Sequence, residues 1–265
     1  MFDLPTIEAA LADTIFAGKL HFFPVTDSTN TDALEAARAG APHSSVFFAD
    51  EQLAGRGRGD HAWHSAAGEG LYVSVLLRPT MPAVHLPLLP LAAGLAAADA
   101  IHAVTGLAVD LRWPNDLLIG PRKTGGILAE TKSEAHTESR TVSFAVVGVG
   151  INVHQRSFAA EVSTPATSLD LEAARRISRQ DLLVSLLKSL QRETLGLLDP
   201  AAQGTIPRRV QEASTWVRGR RVEVHGPQAC TGVTAGLDEN GFLLVRTGDG
   251  LVTVRTGGIR AAEMS

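Results

Sequence analysis

The sequence predicts an α+β protein in two parts: a mixed β-sheet domain flanked by helices over residues 1–214, and a small β-barrel over residues 215–265. Three observations carry this prediction. Helical and strand patterns are interspersed up to about Ser214, short β-rich runs take over after Thr215, and Asn240-Gly241 supplies a hairpin signal among them because both residues tolerate positive φ. With 265 residues, 45% hydrophobic and 20% charged, the chain is long enough for two domains and apolar enough to pack a core.

Residues 6–17 space apolar side chains helically between Pro5 and Gly18 and predict a short amphipathic helix, with a strand next at 21–26. Thr29 and Asp32 stand at capping-box spacing, so a second helix should open near Ser28 or Thr29 and close at Gly40, before a strand at 45–50. Residues 51–70 contain Gly55, Gly57, Gly59, Gly68 and Gly70 and are long for a plain connection; loops of that length usually bind something or move. A strand at 71–77, an Ala/Leu-rich helix at 91–104 and strands at 109–113, 117–119, 127–132 and 142–149 follow. Ser178 and Asp181, again at capping spacing, start a long helix at 178–198. Barrel strands are expected at 221–225, 233–237, 242–246 and 251–255.

Composition removes several function classes. A single cysteine, Cys230, rules out an intramolecular disulfide and a multi-cysteine metal site, as in a reducing compartment. Residues 1–20 lack the order of a secretory signal, so the cytoplasm is the expected location. The apolar stretch 86–100 is short for a membrane span, carries Pro87, Pro90 and Asp99, and reads as a buried helix, so no membrane partner is expected. A net charge of −4 and a pI near 6.1 argue against a general nucleic-acid binder.

Three segments have the residue types for anion chemistry. Residues 52–59, Gln-Leu-Ala-Gly-Arg-Gly-Arg-Gly, interleave glycines that permit close backbone approach with two guanidinium forks, Arg56 and Arg58, suited to phosphate or carboxylate; a solvated surface loop is the competing reading. Arg112-Trp113-Pro114-Asn115-Asp116 lies between two strands and leaves an amide and a carboxylate at a turn, or is simply a hairpin corner. Lys123 precedes Gly125-Gly126, glycines that would let a flat ligand lie against a strand, although a lone lysine is more often a solvated charge. Gly148-Val149-Gly150-Ile151-Asn152 fails the dinucleotide fingerprint, because Val153 takes the third glycine's place, and no Walker A pattern exists. His61 and His64 lack evident partners for a metal, and no metal bound by protein groups alone is expected.

Ser28-Thr29-Asn30, Asp50-Glu51-Gln52 with Ala54-Gly55-Arg56-Gly57-Arg58, Trp63, Trp113-Pro114-Asn115-Asp116, Lys123 with Gly126-Ile127-Leu128, and residues 148–152 occur in the order seen in biotin protein ligases. The chain resembles that family over nearly its whole length, including Ala166-Thr167-Ser168-Leu169 and a tail similar to the family's SH3-like domain. The resemblance implies a class II synthetase-like catalytic domain and a two-step reaction. Biotin carboxylate attacks the α-phosphorus of Mg-ATP, giving biotinyl-5′-AMP and pyrophosphate; an acceptor lysine of a biotin carboxyl carrier protein then attacks the mixed anhydride.

The same resemblance implies that Ser28, Thr29, Asn30, Gln52, Gly55, Arg56, Gly57, Arg58, Lys123, Gly126 and Gly150 meet biotin or its adenylate. It implies catalytic roles for Lys123 and Arg58 and places Asn115, Asp116 and Asn152 near the nucleotide and Mg²⁺. Lys123 would bridge carboxylate and phosphate oxygens as a compact point charge. The chain departs from the family pattern at Gly59-Asp60-His61-Ala62, where the loop is less basic, and at Arg112, where lysine is common. Too little sequence precedes Ser28 for a helix-turn-helix domain, so the monofunctional type is expected, without repressor activity. A lipoate or related acyl ligase is the enzymatic alternative, a biotin-binding protein without catalysis a further one, and the resemblance allows a homodimer. Arg208, Arg209, Arg218, Arg220 and Arg221 form either a docking patch for an acidic carrier or a solvated joint.

Overall fold

A computed structural model describes residues 2–59, 61–79, 82–133, 142–158 and 164–262. Seven strands form one mixed sheet: β1 (Leu20–Thr26), β2 (Val46–Gln52), β3 (Gly70–Leu77), β4 (Asp110–Arg112), β5 (Asp116–Ile119), β6 (Arg122–Ser133) and β7 (Val142–Asn152), in the order β1-β2-β3-β7-β6-β5-β4. β1 and β2 run parallel, connected over helix α2 (Thr29–Arg38), and the other neighbouring pairs are antiparallel. α1 (Leu4–Ala10), α3 (Leu88–Thr105), α4 (Leu169–Ala173), α5 (Arg179–Leu198), α6 (Pro200–Gln203) and α7 (Ile206–Glu212) complete the helices.

The two faces of the sheet differ because its strands alternate. Leu71, Val73, Val75 and Leu77 of β3 join the large core under α3 and α5, while Leu76 packs with Phe47, Val146, Ala33 and Ala37 beneath α2. α3 exposes few polar side chains, Asp99 and His102 among them: 11 of its residues are buried between the sheet and α5, so its apolarity serves a core although its length would suit a membrane span. Pro90 falls in its first turn, where a backbone N–H has no intrahelical acceptor to lose.

The expected helix at 6–17 ends at Ala10; Ile7, Leu11 and Phe16 are all fully buried, but the chain must turn after Leu11 to bury Phe16. Ser178 accepts a hydrogen bond from the Asp181 N–H, as its spacing implied, whereas α2 is capped by Ser28 without a side-chain bond. Asp32 instead accepts from the Thr26 hydroxyl. α4, α6, α7 and β12 (Gly258–Ala261) had no sequence signal strong enough to assign.

Beyond Thr215, β8 (Arg218–His225), β9 (Cys230–Leu237), β10 (Leu243–Thr247), β11 (Gly250–Val254) and β12 form an antiparallel sheet in the order β11-β10-β9-β8-β12. Among the described residues β11 and β12 do not pair, so an open antiparallel sheet stands where a barrel was expected. The β9–β10 connection is tighter in glycine than expected: Gly241 alone has positive φ, and the Asp238 carboxylate accepts from the N–H groups of Asn240 and Phe242. A Cβ on Gly241 would run into Leu91 of α3, and the Gly241 carbonyl accepts from Trp113 Nε1 at 3.0 Å. The apolar core continues across this junction, since Trp216, Val222, Leu243, Val245 and Ile259 belong to the same cluster as the α3 leucines.

The arginines of the joint are largely engaged within the chain. Arg209 makes two 2.7 Å bonds to Glu193, Arg208 pairs with Glu212, Arg218 bonds Gln211, and Arg220 stacks on Trp216 at 3.6 Å. This matches the solvated-joint reading better than a free docking patch.

Candidate active site

A cleft of about 890 Å³ opens on the α2 face of the sheet, walled by residues 56–59 and 61–64 on one side and by turns of the second sheet, including Gly257, on the other. Its floor is paved by glycines. Gly126 of β6 is in register with Gly150 of β7, and Gly148 lies between Leu128 and Ser74 of the flanking strands, so three adjacent positions on one face lack side chains. In the midst of a sheet such residues weaken the strands, and their use is to let another group approach the backbone. The Trp63 indole already lies here, where a Cβ on Gly150 would come within 2.7 Å of it, and its Nε1–H is buried without a partner.

One rim is a polar network on α2. Ser28, Thr29 and Asn30 are all buried. The Thr29 N–H donates to Gln52 Oε1 at 2.9 Å, Gln52 Nε2 donates to Ser65 Oγ at 2.7 Å, and the Thr29 hydroxyl lies 2.8 Å from Ser74 Oγ. Ser74 Oγ donates to Asn30 Oδ1, while Asn30 Nδ2 donates to Glu130 at 2.8 Å. A buried polar network satisfied at this level holds its members in one orientation.

The opposite rim is charged. Asp116 lies between two cations, with Arg112 Nη2 and Lys123 Nζ each 2.5 Å from one of its oxygens. Burial pushes the Asp116 carboxyl up, but Lys123 and Arg112 together outweigh burial and hold it below the usual carboxylate range. Lys123 Nζ also stands 5.5 Å above the Trp63 ring and near the Gly126 floor. Trp216, from the lead-in to the second sheet, takes the Arg112 guanidinium on its face at 5.2 Å and so helps aim it.

A folded pKa below the ordinary value means that Asp116 contributes stability above about pH 4 and loses it as pH falls through the folded pKa. Asp116→Asn, which strands two partly buried cations, should therefore cost about 3 kcal/mol near neutrality, roughly 6–12 °C in Tm. The gap in Tm between variant and wild type, followed by calorimetry, should stay constant down to about pH 4 and close below it. A gap that narrows already between pH 7 and 5 would contradict this account.

The structure brings the sequence-derived residues together unevenly. Ser28, Thr29, Asn30, Gln52, Arg56, Gly57, Arg58, Lys123, Gly126, Gly150, Asn115, Asp116 and Asn152 all line the cleft. Gly55 stands behind the loop, where a Cβ would collide with the Trp63 carbonyl and Ser65, so its role is to fold the loop. Arg58 reaches across and donates to the Gly257 carbonyl, while Arg56 pairs with Glu130 at 2.5 Å. Asn115 and Asn152 have each spent their amide on backbone, donating to Ile127 O and Thr167 O. The Gly59-Asp60-His61 departure falls partly outside the described residues, at Asp60. Among the described residues no three His, Cys, Asp or Glu side chains cluster as a metal site.

Sequence reading missed Ser74, Glu130 and Gly257. Ser74 carried a signal, as the one small hydroxyl residue in the apolar run 71–77; Glu130 and Gly257 carried none.

Fold and site together make an α+β protein with a cleft whose glycine floor leaves room for a flat group and whose far end carries the cations Lys123 and Arg58. The model of the biotin/lipoate A/B protein ligase family matches residues 22–152. The bifunctional ligase/repressor BirA of Bacillus subtilis is 33% identical over 253 residues, covering 92% of this chain and 74% of that protein. The biotin–[acetyl-CoA-carboxylase] ligase of Mycobacterium tuberculosis is 33% identical over 266 residues, 96% of this chain and 95% of that one. Among solved structures, the biotin protein ligase of Aquifex aeolicus in complex with biotin and ATP superposes with a TM-score of 0.78 at 28% identity, covering 92% of this chain and 98% of that one. The chain belongs to the biotin/lipoate A/B protein ligase family.

Proposed function

We propose that the protein is an ATP-dependent biotin protein ligase, which forms biotinyl-5′-AMP and transfers biotin to a lysine of a biotin carboxyl carrier protein. The observation that carries this is the three-glycine floor bounded at one end by the α2 polar network, to which Arg56 is tied through Glu130, and at the other by Lys123 and Arg58. A fused ring with a polar edge fits the first, and a carboxylate beside a triphosphate fits the second. The named relatives that share this chain almost end to end are biotin ligases, which favours biotin over lipoate as the acid.

In this reading Ser28, Thr29, Asn30 and Gln52 present their polar atoms to the ring, and Gly126 and Gly150 allow it to lie on the strands. Trp63, with an unpaired N–H and a face already on the floor, covers it. Attack of one carboxylate oxygen on the α-phosphorus joins two anions, so the developing charge must meet fixed cations. Lys123, aimed by Asp116, supplies one, and Arg58, which already reaches across the cleft, supplies another. Magnesium would come with the triphosphate as part of the co-substrate and would help to neutralise its charge. Asn115, Asp116 and Asn152 act by shaping this end of the cleft. The acceptor amine then attacks the carbonyl of the anhydride and releases AMP.

The catalytic domain is taken as residues 1–214 and the tail, residues 215–265, as an SH3-like barrel that lends Gly257 and its neighbours to the cleft wall. ATP–pyrophosphate exchange with biotin and with lipoate as separate acids tests the assignment. Exchange should depend on biotin and be about 10⁴-fold weaker with lipoate, the order of discrimination when a site built for polar groups meets an acid that lacks them. Exchange with lipoate alone would reverse the assignment.

A further inference from the structure

Glu130 lies on β6 on the same sheet face as Gly126 and Leu128, just beyond the glycine floor. A single oxygen of its carboxylate accepts from both Arg56 Nη2 at 2.5 Å and Asn30 Nδ2 at 2.8 Å. Asn30 is 4% exposed and its other amide atom, Oδ1, accepts from Ser74. From there the network runs through Thr29 and Gln52 to Ser65. A continuous chain of hydrogen bonds therefore leaves the glycine-rich loop at Arg56, crosses under the cleft, and returns to the same loop at Ser65. Glu130 is the one carboxylate in it.

Two consequences follow from electrostatics. An Arg–carboxylate bond is among the stronger side-chain bonds and fixes direction as well as distance, so Glu130 holds the loop against the floor before any ligand enters. As acceptor-only chemistry, the carboxylate also dictates that Asn30 turn its NH₂ toward β6 and its oxygen toward Ser74. With Gln, one of the two terminal atoms would be a donor and the shared bond would lose its charge.

We propose that Glu130 is a positioning residue for acid binding: it orients the Asn30 amide and tethers Arg56, so that the loop is preorganised over the floor. This rests on the proposed biotin site. The gain comes as affinity, because ordering the loop beforehand removes a cost otherwise met on binding.

The test uses the full chain and the variants Glu130→Gln, Glu130→Asp, Arg56→Ala and Glu130→Gln with Arg56→Ala. Without ligand, trypsin should cut Glu130→Gln after Arg58 at least about fivefold faster than wild type, with Glu130→Asp in between, since proteolysis follows the population of the released loop. In biotin-dependent exchange, the KM for biotin should rise about tenfold in Glu130→Gln while kcat stays within about threefold. Glu130→Asp should recover part of that loss, and the double variant should be no worse than the worse single one.

Wild-type cleavage with KM within twofold in Glu130→Gln, or additive effects in the double variant, would overturn the proposal. If Glu130→Gln does not melt cooperatively, Arg56→Ala must by itself reproduce the faster cleavage after Arg58 and the raised KM, and its failure to do so overturns the tether. Absence of biotin-dependent exchange in the wild type would instead defeat the functional assignment, and the cleavage comparison would still decide the tether.

Discussion

Lys123→Ala should lower the rate of adenylate formation about 10²- to 10³-fold, with the protein still folding cooperatively. Lys123 is the second residue of β6, where its backbone is fixed by the pairing with Leu118 and by bonds with Pro165 and Thr167. Its ammonium is held 2.5 Å from Asp116 and overlooks Gly126, so the charge is in place before reaction and need not be reorganised during it. Removing the side chain leaves Asp116 with Arg112 alone, which compensates the carboxylate but points elsewhere. The fold survives because the side chain is about a quarter exposed, at 28%, and packs no core. Lys123→Arg should recover little, since a planar fork cannot bridge two oxygens from the same position as a point charge. Single-turnover formation of the adenylate, measured beside Tm, checks both parts. A variant within tenfold of wild type would remove Lys123 from the chemistry.

The second large effect is expected at the floor. Gly148→Ala should weaken biotin binding tenfold or more and lower Tm by several degrees. A Cβ at this position would overlap Asn30 Oδ1, and Asn30 has no room to yield: it is buried, with both ends of its amide bonded to Ser74 and Glu130. Moving it breaks the network that also orients Thr29 and Gln52. Overpacking of this kind costs about 1–3 kcal/mol, and each 1.4 kcal/mol expressed in binding is tenfold in affinity. Gly150→Ala makes a useful contrast, because there the obstacle is the Trp63 ring on the loop, which can shift. Its Tm should hardly change while biotin affinity falls. Calorimetric titration of biotin and thermal melts of both variants decide the matter; equal Tm losses would show that Trp63 is as fixed as Asn30.

Much of the fold was legible in the residues because it depends on local patterns. Strands β1 to β11 lie within a few residues of their expected places, β6 starting five residues early, and Ser178 caps α5 as its spacing with Asp181 implied. Where local reading failed, a distant contact had prevailed. Thr29 could have closed a capping box with Asp32, but its N–H and hydroxyl are drawn to Gln52 and Ser74 on neighbouring strands. α1 stops early because Phe16 is claimed by the core, and Asn240 escapes positive φ because Asp238 organises the turn.

Composition and pattern alone determined the chemistry available to this protein: glycines and arginines in one long loop, a lysine ahead of a glycine pair, and a carboxylate at a strand turn. These are properties of residue type and spacing, and they survive without coordinates. Which groups meet was decided only by the tertiary structure. The order β3-β7-β6 aligns Gly148, Gly150 and Gly126 into one floor and sets Glu130 beneath Arg56, 74 residues away in the chain. The second sheet likewise brings the Gly257 carbonyl to Arg58 across 199 residues. Strand pairing and the burial of a shared core set those neighbours, and neither leaves a trace at the positions concerned.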